Sequence, residues 1–140
     1  MTKIRMLYEH TKGFHHTIQD MKEEATEYGI QLEITLVTNR MDFLRRLQEN
    51  PSGYDIAVLH MSGDIYTSYA ERRLLDTYNF ADEVRRRTDF AGKLVAESGT
   101  KPRRDEVLEH FDYYTERLYY RSSIVESMLR DLGFLPPIED

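Results

Sequence analysis

Hydrophobic and polar positions along this chain follow two periods in turn, and the change from one to the other recurs along its length. Residues 3–8, "KIRMLY", are a short apolar-rich run with one inserted charge, as in a strand. From about Thr17 the spacing becomes three and four: Ile18, Met21, Ala25 and Tyr28 share one face of an amphipathic helix. Gly29 follows where a helix takes a left-handed cap. "LEITLVT", 32–38, is β-branched and alternating, a second strand. Asn39 then caps a helix carrying Met41, Leu44 and Leu47, which stops at the turn residues "NPSG", 50–53.

"YDIAVLHM", 54–61, is almost continuously apolar, as expected of a strand covered on both faces. "LLDTYNFADEVRRR", 74–87, is helical in period through Leu74, Tyr78, Ala81 and Val84. "GKLVAES", 92–98, predicts a fourth strand, and "RRDEVLEHF", 103–111, a short helix with Val107, Leu108 and Phe111 inward. "DYYTE", 112–116, reads as a fifth, aromatic strand; the last helix packs Ile124, Val125, Met128 and Leu132 before Gly133 and Pro136-Pro137. Five alternations of strand and helix predict an α/β fold: one doubly wound, five-stranded parallel sheet with helices on both faces, because right-handed crossovers require that arrangement. At 140 residues, with no repeat and no low-complexity linker, the expectation is a single domain over 1–140.

Composition narrows the chemistry. There is no cysteine, which removes disulfides, thiolate zinc sites and cysteine nucleophiles. A net charge of −6 argues against nonspecific nucleic-acid binding, and Arg85, Arg86 and Arg87 read as a solvated helix face. No apolar stretch approaches a membrane span, and the first residues run straight into a strand pattern without the features of a signal peptide. The expected setting is cytoplasmic, away from membranes.

Open α/β sheets bind ligands beyond the carboxyl ends of their strands, near the point where strand order reverses. Tyr8, Glu9 and His10, Thr38 and Asn39, His60 and Met61, Ser98 and Gly99, and Thr115 and Glu116 occupy those places.

Here the chain resembles the receiver domain of bacterial response regulators over nearly its whole length. Receivers begin with a strand ending in two acidic residues that hold magnesium; "KIRMLYEH" offers Tyr8 and Glu9. They carry the phosphorylated aspartate at the end of the third strand; "YDIAVLH" offers His60. The fourth strand often ends in Thr or Ser before Gly, matched by Ser98 and Gly99. The fifth is an aromatic run ending in lysine and proline, where "FDYYTER" has Glu116 and Arg117. The resemblance implies a flavodoxin-like, CheY-like fold with degenerate phosphorylation positions at Tyr8, Glu9, His60, Ser98 and Glu116.

Phosphoryl transfer to a carboxylate needs a metal to neutralise charge and a cation on the developing phosphoryl oxygens. His60 cannot form an acyl phosphate, and Glu116 inverts the sign of the lysine. The expectation is therefore a pseudo-receiver: a non-catalytic signalling domain with no cofactor, acting through protein contacts. In receivers the surface of helix four, strand five and helix five is the usual partner or dimer face, which here carries Phe111, Tyr113, Tyr114, Arg117, Tyr119, Tyr120 and Arg121. The segment 61–80 is longer than in a typical receiver and includes Tyr66, Tyr69, Arg72, Arg73 and Tyr78; it reads equally as a lid, a docking surface or an extra turn of helix.

A rival reading uses the same edge. Four of the five histidines, His10, His15, His16 and His60, fall near it, and Glu9 and Asp64 could join them. Imidazoles with a carboxylate suit zinc, nickel or copper, with Glu9, His10 and His60 as the candidate ligands; a histidine accepting a phosphoryl group is a further variant. The plainer alternative is that His15 and His16 flank a helix start while His60 hydrogen-bonds locally. "EHTKG" also resembles the His-x-x-Gly part of cobalamin-binding domains, but Tyr8 stands where that motif has Asp. "EHTKGFHHT" is a poor phosphate cradle, with two histidines and a phenylalanine in the way, and the chain has no dinucleotide fingerprint or nucleophile elbow.

Overall fold

The computed structural model describes residues 1–10, 15–61, 68–98, 103–116 and 123–138, with side chains at 15–17, 68–75 and 123 excepted. Five strands, β1 (Thr2–Glu9), β2 (Ile30–Val37), β3 (Ile56–Met61), β4 (Lys93–Ser98) and β5 (Tyr113–Glu116), make one sheet in the order β2-β1-β3-β4-β5. Every pairing is parallel. The connecting helices are α1 (His15–Glu27), α2 (Arg40–Glu49), α3 (Ser68–Arg87) and α4 (Arg104–Val107), with α5 (Ser123–Asp131) after β5. Strand order reverses at β1, so the crevice that such folds use for ligands opens between the carboxyl ends of β1 and β3.

Alternation along each strand divides the apolar residues into two layers. Ile4, Met6, Ile56, Val58 and Val95 pack with Met21 and Ala25 of α1 and with Val125, Met128 and Leu129 of α5. Leu7, Ala57, Leu59, Leu94 and Ala96 pack on the other face with Phe43, Leu44 and Leu47 of α2, Ala81 and Val84 of α3, and Val107. β3 is buried on both sides, which is why its sequence lacks the polar alternation of an edge strand.

The expected punctuation is visible in the backbone. Gly29 has φ of 77°, the left-handed conformation that closes α1 without a Cβ clash. The Asn39 side chain accepts from the Asp42 backbone N–H at 2.8 Å and so caps α2.

Some expectations need correction. α3 begins at Ser68, six residues before the periodic run. α4 is one turn instead of a helix to Phe111: the Asp112 N–H bonds to the Leu94 carbonyl, which draws the chain into the sheet as β5. Leu108, expected inward, is 41% exposed. The arginine triplet is exposed, as expected, but Arg85 also has fixed partners. Arg85 donates to the carbonyls of Phe90 (3.1 Å) and Gly92 (3.3 Å) and to the Asp112 carboxylate, which itself accepts from Leu94 N–H. It ties the end of α3 to the starts of β4 and β5. Among the described residues, no helix is long and apolar enough to cross a membrane.

Candidate functional site

The same alternation that builds two cores sorts the residues at the carboxyl rim into two groups. Tyr8, His60, Glu97 and Thr115 continue the layer facing α1 and α5; Glu9, Met61, Ser98 and Glu116 continue the layer facing α2 and α3. Register places His60 directly beside Glu97, and Glu97 beside Thr115.

On the α1/α5 side a buried polar cluster forms. Glu97 is fully buried, and each of its oxygens has a partner. The His60 Nδ1 lies 3.1 Å from Oε1, and the Tyr8 hydroxyl donates to Oε2. His10, held by a backbone bond from its N–H to the Val37 carbonyl, brings its ring to 4.3 Å from that of His60, tilted by 38°. Tyr8 flanks His10 with ring centroids 6.1 Å apart. One ligand atom from each of His10, His60 and Glu97 lies within 4.8 Å of the others. The His60 side chain, 14% exposed, is the member of the trio that reaches solvent most.

On the α2/α3 side Glu9 is also buried, and its Oε2 accepts from the His60 backbone N–H at 3.2 Å. Burial pushes the Glu9 carboxyl up; the His60 N–H and the charge on Arg40 oppose that by favouring the ionised form. Arg40, the first residue of α2, donates to the hydroxyl of buried Thr77 on α3, and its guanidinium lies 5.5 Å from the centre of the Phe80 ring.

The structure thus joins His10 and His60, but the carboxylate beside them is Glu97 and not Glu9, because Glu9 points through the sheet to the opposite side. The receiver pattern points to Ser98 on β4 and gives no sign of Glu97. Parity would have found it: counting in twos from Val95 puts 97, not 98, on the side of His60 once the strands are paired. Ser98 is buried on the other face, and Glu116 ends β5 exposed. The side chains of His15 and His16, and Asp64, lie outside the described residues.

Of the expected partner face, Phe111 and Tyr114 are buried in the core against α3 and α4, whereas Tyr113 packs toward α5 and donates to Asp131 at 2.8 Å. Phe111 and Tyr114 thus present little contact surface. Arg117, Tyr119, Tyr120 and Arg121 lie outside the described residues. Of the 61–80 segment, Tyr78 is buried and stacks on His110 at 4.6 Å with ring planes 9° apart; Tyr66 is not among the described residues, nor are the side chains of Tyr69, Arg72 and Arg73.

Magnesium, the ion that a receiver pocket implies, does not fit these residues. It demands oxygen ligands in near-octahedral array. Among the described residues, Glu9 is the one carboxylate at the β1 and β3 ends on the α2/α3 side, and it is engaged by a backbone N–H.

No family model matches the chain, and no curated protein matches it in sequence. Solved structures do match in shape. A response regulator in red light signalling of R. palustris superimposes with a TM-score of 0.59 at 11% identity, covering 98% of this chain and 99% of that one. The Mn(2+)-bound form of response regulator Rcp1 gives 0.59 at 13% identity, covering 97% of each chain. A response regulator receiver domain protein from Clostridium thermocellum gives 0.56 at 13% identity, over 91% of this chain and 95% of that one. With its five parallel strands and flanking helices, the chain has the flavodoxin-like, CheY-like fold that these receiver domains share.

Proposed function

We propose that this protein is a receiver-like regulatory domain, single over 1–140, that does not operate by aspartyl phosphorylation and acts through protein contacts. One observation carries the reading. The residue at the end of β3 is His60, whose backbone N–H is held by Glu9 and whose ring is held by Glu97. An aspartyl phosphoacceptor must present a free carboxylate oxygen to the incoming phosphorus. Here the position carries no carboxylate, and a second carboxylate lies beside it to repel phosphate. The fold, shared with receivers, supports regulation; the substituted chemistry separates it from their mechanism.

Incubation with acetyl phosphate and magnesium, followed by intact-mass measurement, is expected to leave the mass unchanged, and beryllofluoride is expected to leave the amide spectrum of 56–61 unchanged. A phosphoryl adduct mapped to that strand would overturn the reading. The proposed contact face is α4, β5 and α5, where Leu108 is exposed at the end of α4. Light scattering is expected to show a dimer that Leu108→Glu returns to monomer; a monomer at all concentrations would remove self-association from the proposal.

A further inference from the structure

The geometry points to a transition-metal site: we infer that His10, His60 and Glu97 bind a divalent cation of the zinc class at the carboxyl rim between β1, β3 and β4. The inference deepens the reading above by naming the ligand of the same rim. It rests on that reading for the cation's regulatory sense alone, since binding is measured independently of phosphorylation.

Three features support it. The donor set is two imidazoles and one carboxylate, the combination that zinc accepts with a fourth position left for water. The donors converge: tetrahedral coordination at about 2.0–2.2 Å sets ligand atoms roughly 3.3–3.6 Å apart, and the three groups lie within 4.8 Å before any ion draws them in. His60 Nδ1 and Glu97 Oε1, at 3.1 Å, already stand near that separation.

The surroundings also suit a cation. Glu97 is fully buried, and a buried carboxylate is favoured by a compensating positive charge. Tyr8 holds the second oxygen of Glu97, as an outer hydrogen bond does when it aims a carboxylate ligand. His60 and Glu97 lie on β3 and β4, fixed by the core, and His10 follows directly on β1, where its backbone N–H is tied to the Val37 carbonyl of β2. Partial exposure of His60 leaves a path for the ion and for a water ligand.

The test is calorimetric titration of the full chain with zinc chloride, alongside elemental analysis of protein purified without chelator. One equivalent is expected to bind, and a large excess of magnesium is not expected to displace it. His60→Ala and Glu97→Gln are expected to weaken binding by about 100-fold or more, and Tyr8→Phe, which keeps all three ligands, by about 10-fold. His110→Ala, at an exposed His110–Asp82 pair on the opposite layer, is expected to leave the titration unchanged. Where a variant does not fold, cobalt(II) titration of the wild type decides. An intense visible band of a tetrahedral site supports the inference, and the weak band of an octahedral oxygen site overturns it. Absence of zinc uptake, or equal affinity in wild type, His60→Ala and Glu97→Gln, also overturns it. A positive phosphorylation test with intact zinc binding would sink only the preceding reading.

Discussion

The two sides of the carboxyl rim use the same strand ends and solve the burial of charge differently. Toward α1 and α5, Glu97 meets an imidazole and a phenol, with a second imidazole close by. Toward α2 and α3, Glu9 meets a backbone N–H and the field of a guanidinium, and burial leaves its carboxyl shifted upward. Backbone and arginine partners give a fixed charge balance suited to holding strands together. Imidazole partners carry lone pairs that a metal can take. The receiver positions are thus split between the two sides, Tyr8 and His60 on one and Glu9, Ser98 and Glu116 on the other.

The largest expected effect separates the two sides by ligand. Zinc at about 100 times its dissociation constant should raise unfolding stability by about 2.7 kcal/mol, read as a shift in the urea midpoint. The same increment should persist in Arg40→Ala, on the other side, and vanish in His60→Ala. Loss of the increment in Arg40→Ala would mean that the sides act as one site.

Next comes Tyr8→Phe without metal. It removes the Tyr8 hydroxyl from a fully buried carboxylate and should cost about 1–3 kcal/mol in chemical denaturation. A neutral result would show that Glu97 does not depend on the Tyr8 hydroxyl. Smaller still, Arg40→Ala removes a hydrogen bond to Thr77 and contact with the Phe80 ring, and should cost about 1 kcal/mol.

The smallest effect concerns a half-buried carboxyl away from the rim. Desolvation first, with the neighbouring charge of Glu126 adding to it, raises Glu24 on α1 to about 7, although the Glu126 backbone N–H pulls the other way. Its folded pKa lies above the unfolded value of 4.5, so the folded state holds the proton more tightly. That contribution is complete below about 4.5 and is lost as pH rises through about 7. Stability should fall slightly across that window, and Glu24→Gln should flatten the slope; an unchanged slope would show that Glu24 titrates alike in both states.

Legibility followed period and punctuation. The alternation in "LEITLVT", the unbroken apolar "IAVL", Gly29 and Asn39 each have a local physical cause, so strand, burial, helix stop and cap could be read residue by residue. The end of α4 was hidden because it depends on Asp112 pairing with β4, far away in sequence. The site was half legible. His10 was marked by lying just past an apolar strand, and His60 by lying near the carboxyl end of another. Glu97 and Glu9 exchanged roles because facing depends on strand parity and pairing, whereas the family resemblance compares positions without regard to side. Arg85 looked like one of three solvated charges because its acceptors, the Phe90 and Gly92 carbonyls, carry no sequence signal.

Anomalous diffraction at the zinc edge, from crystals grown with one equivalent of zinc, tests the central assignment most directly. A single peak about 2.0–2.2 Å from a ring nitrogen of His10, a ring nitrogen of His60 and an oxygen of Glu97 is the expected result. A peak ligated by Glu9, one confined to the exposed His110–Asp82 pair, or none at the rim would contradict it.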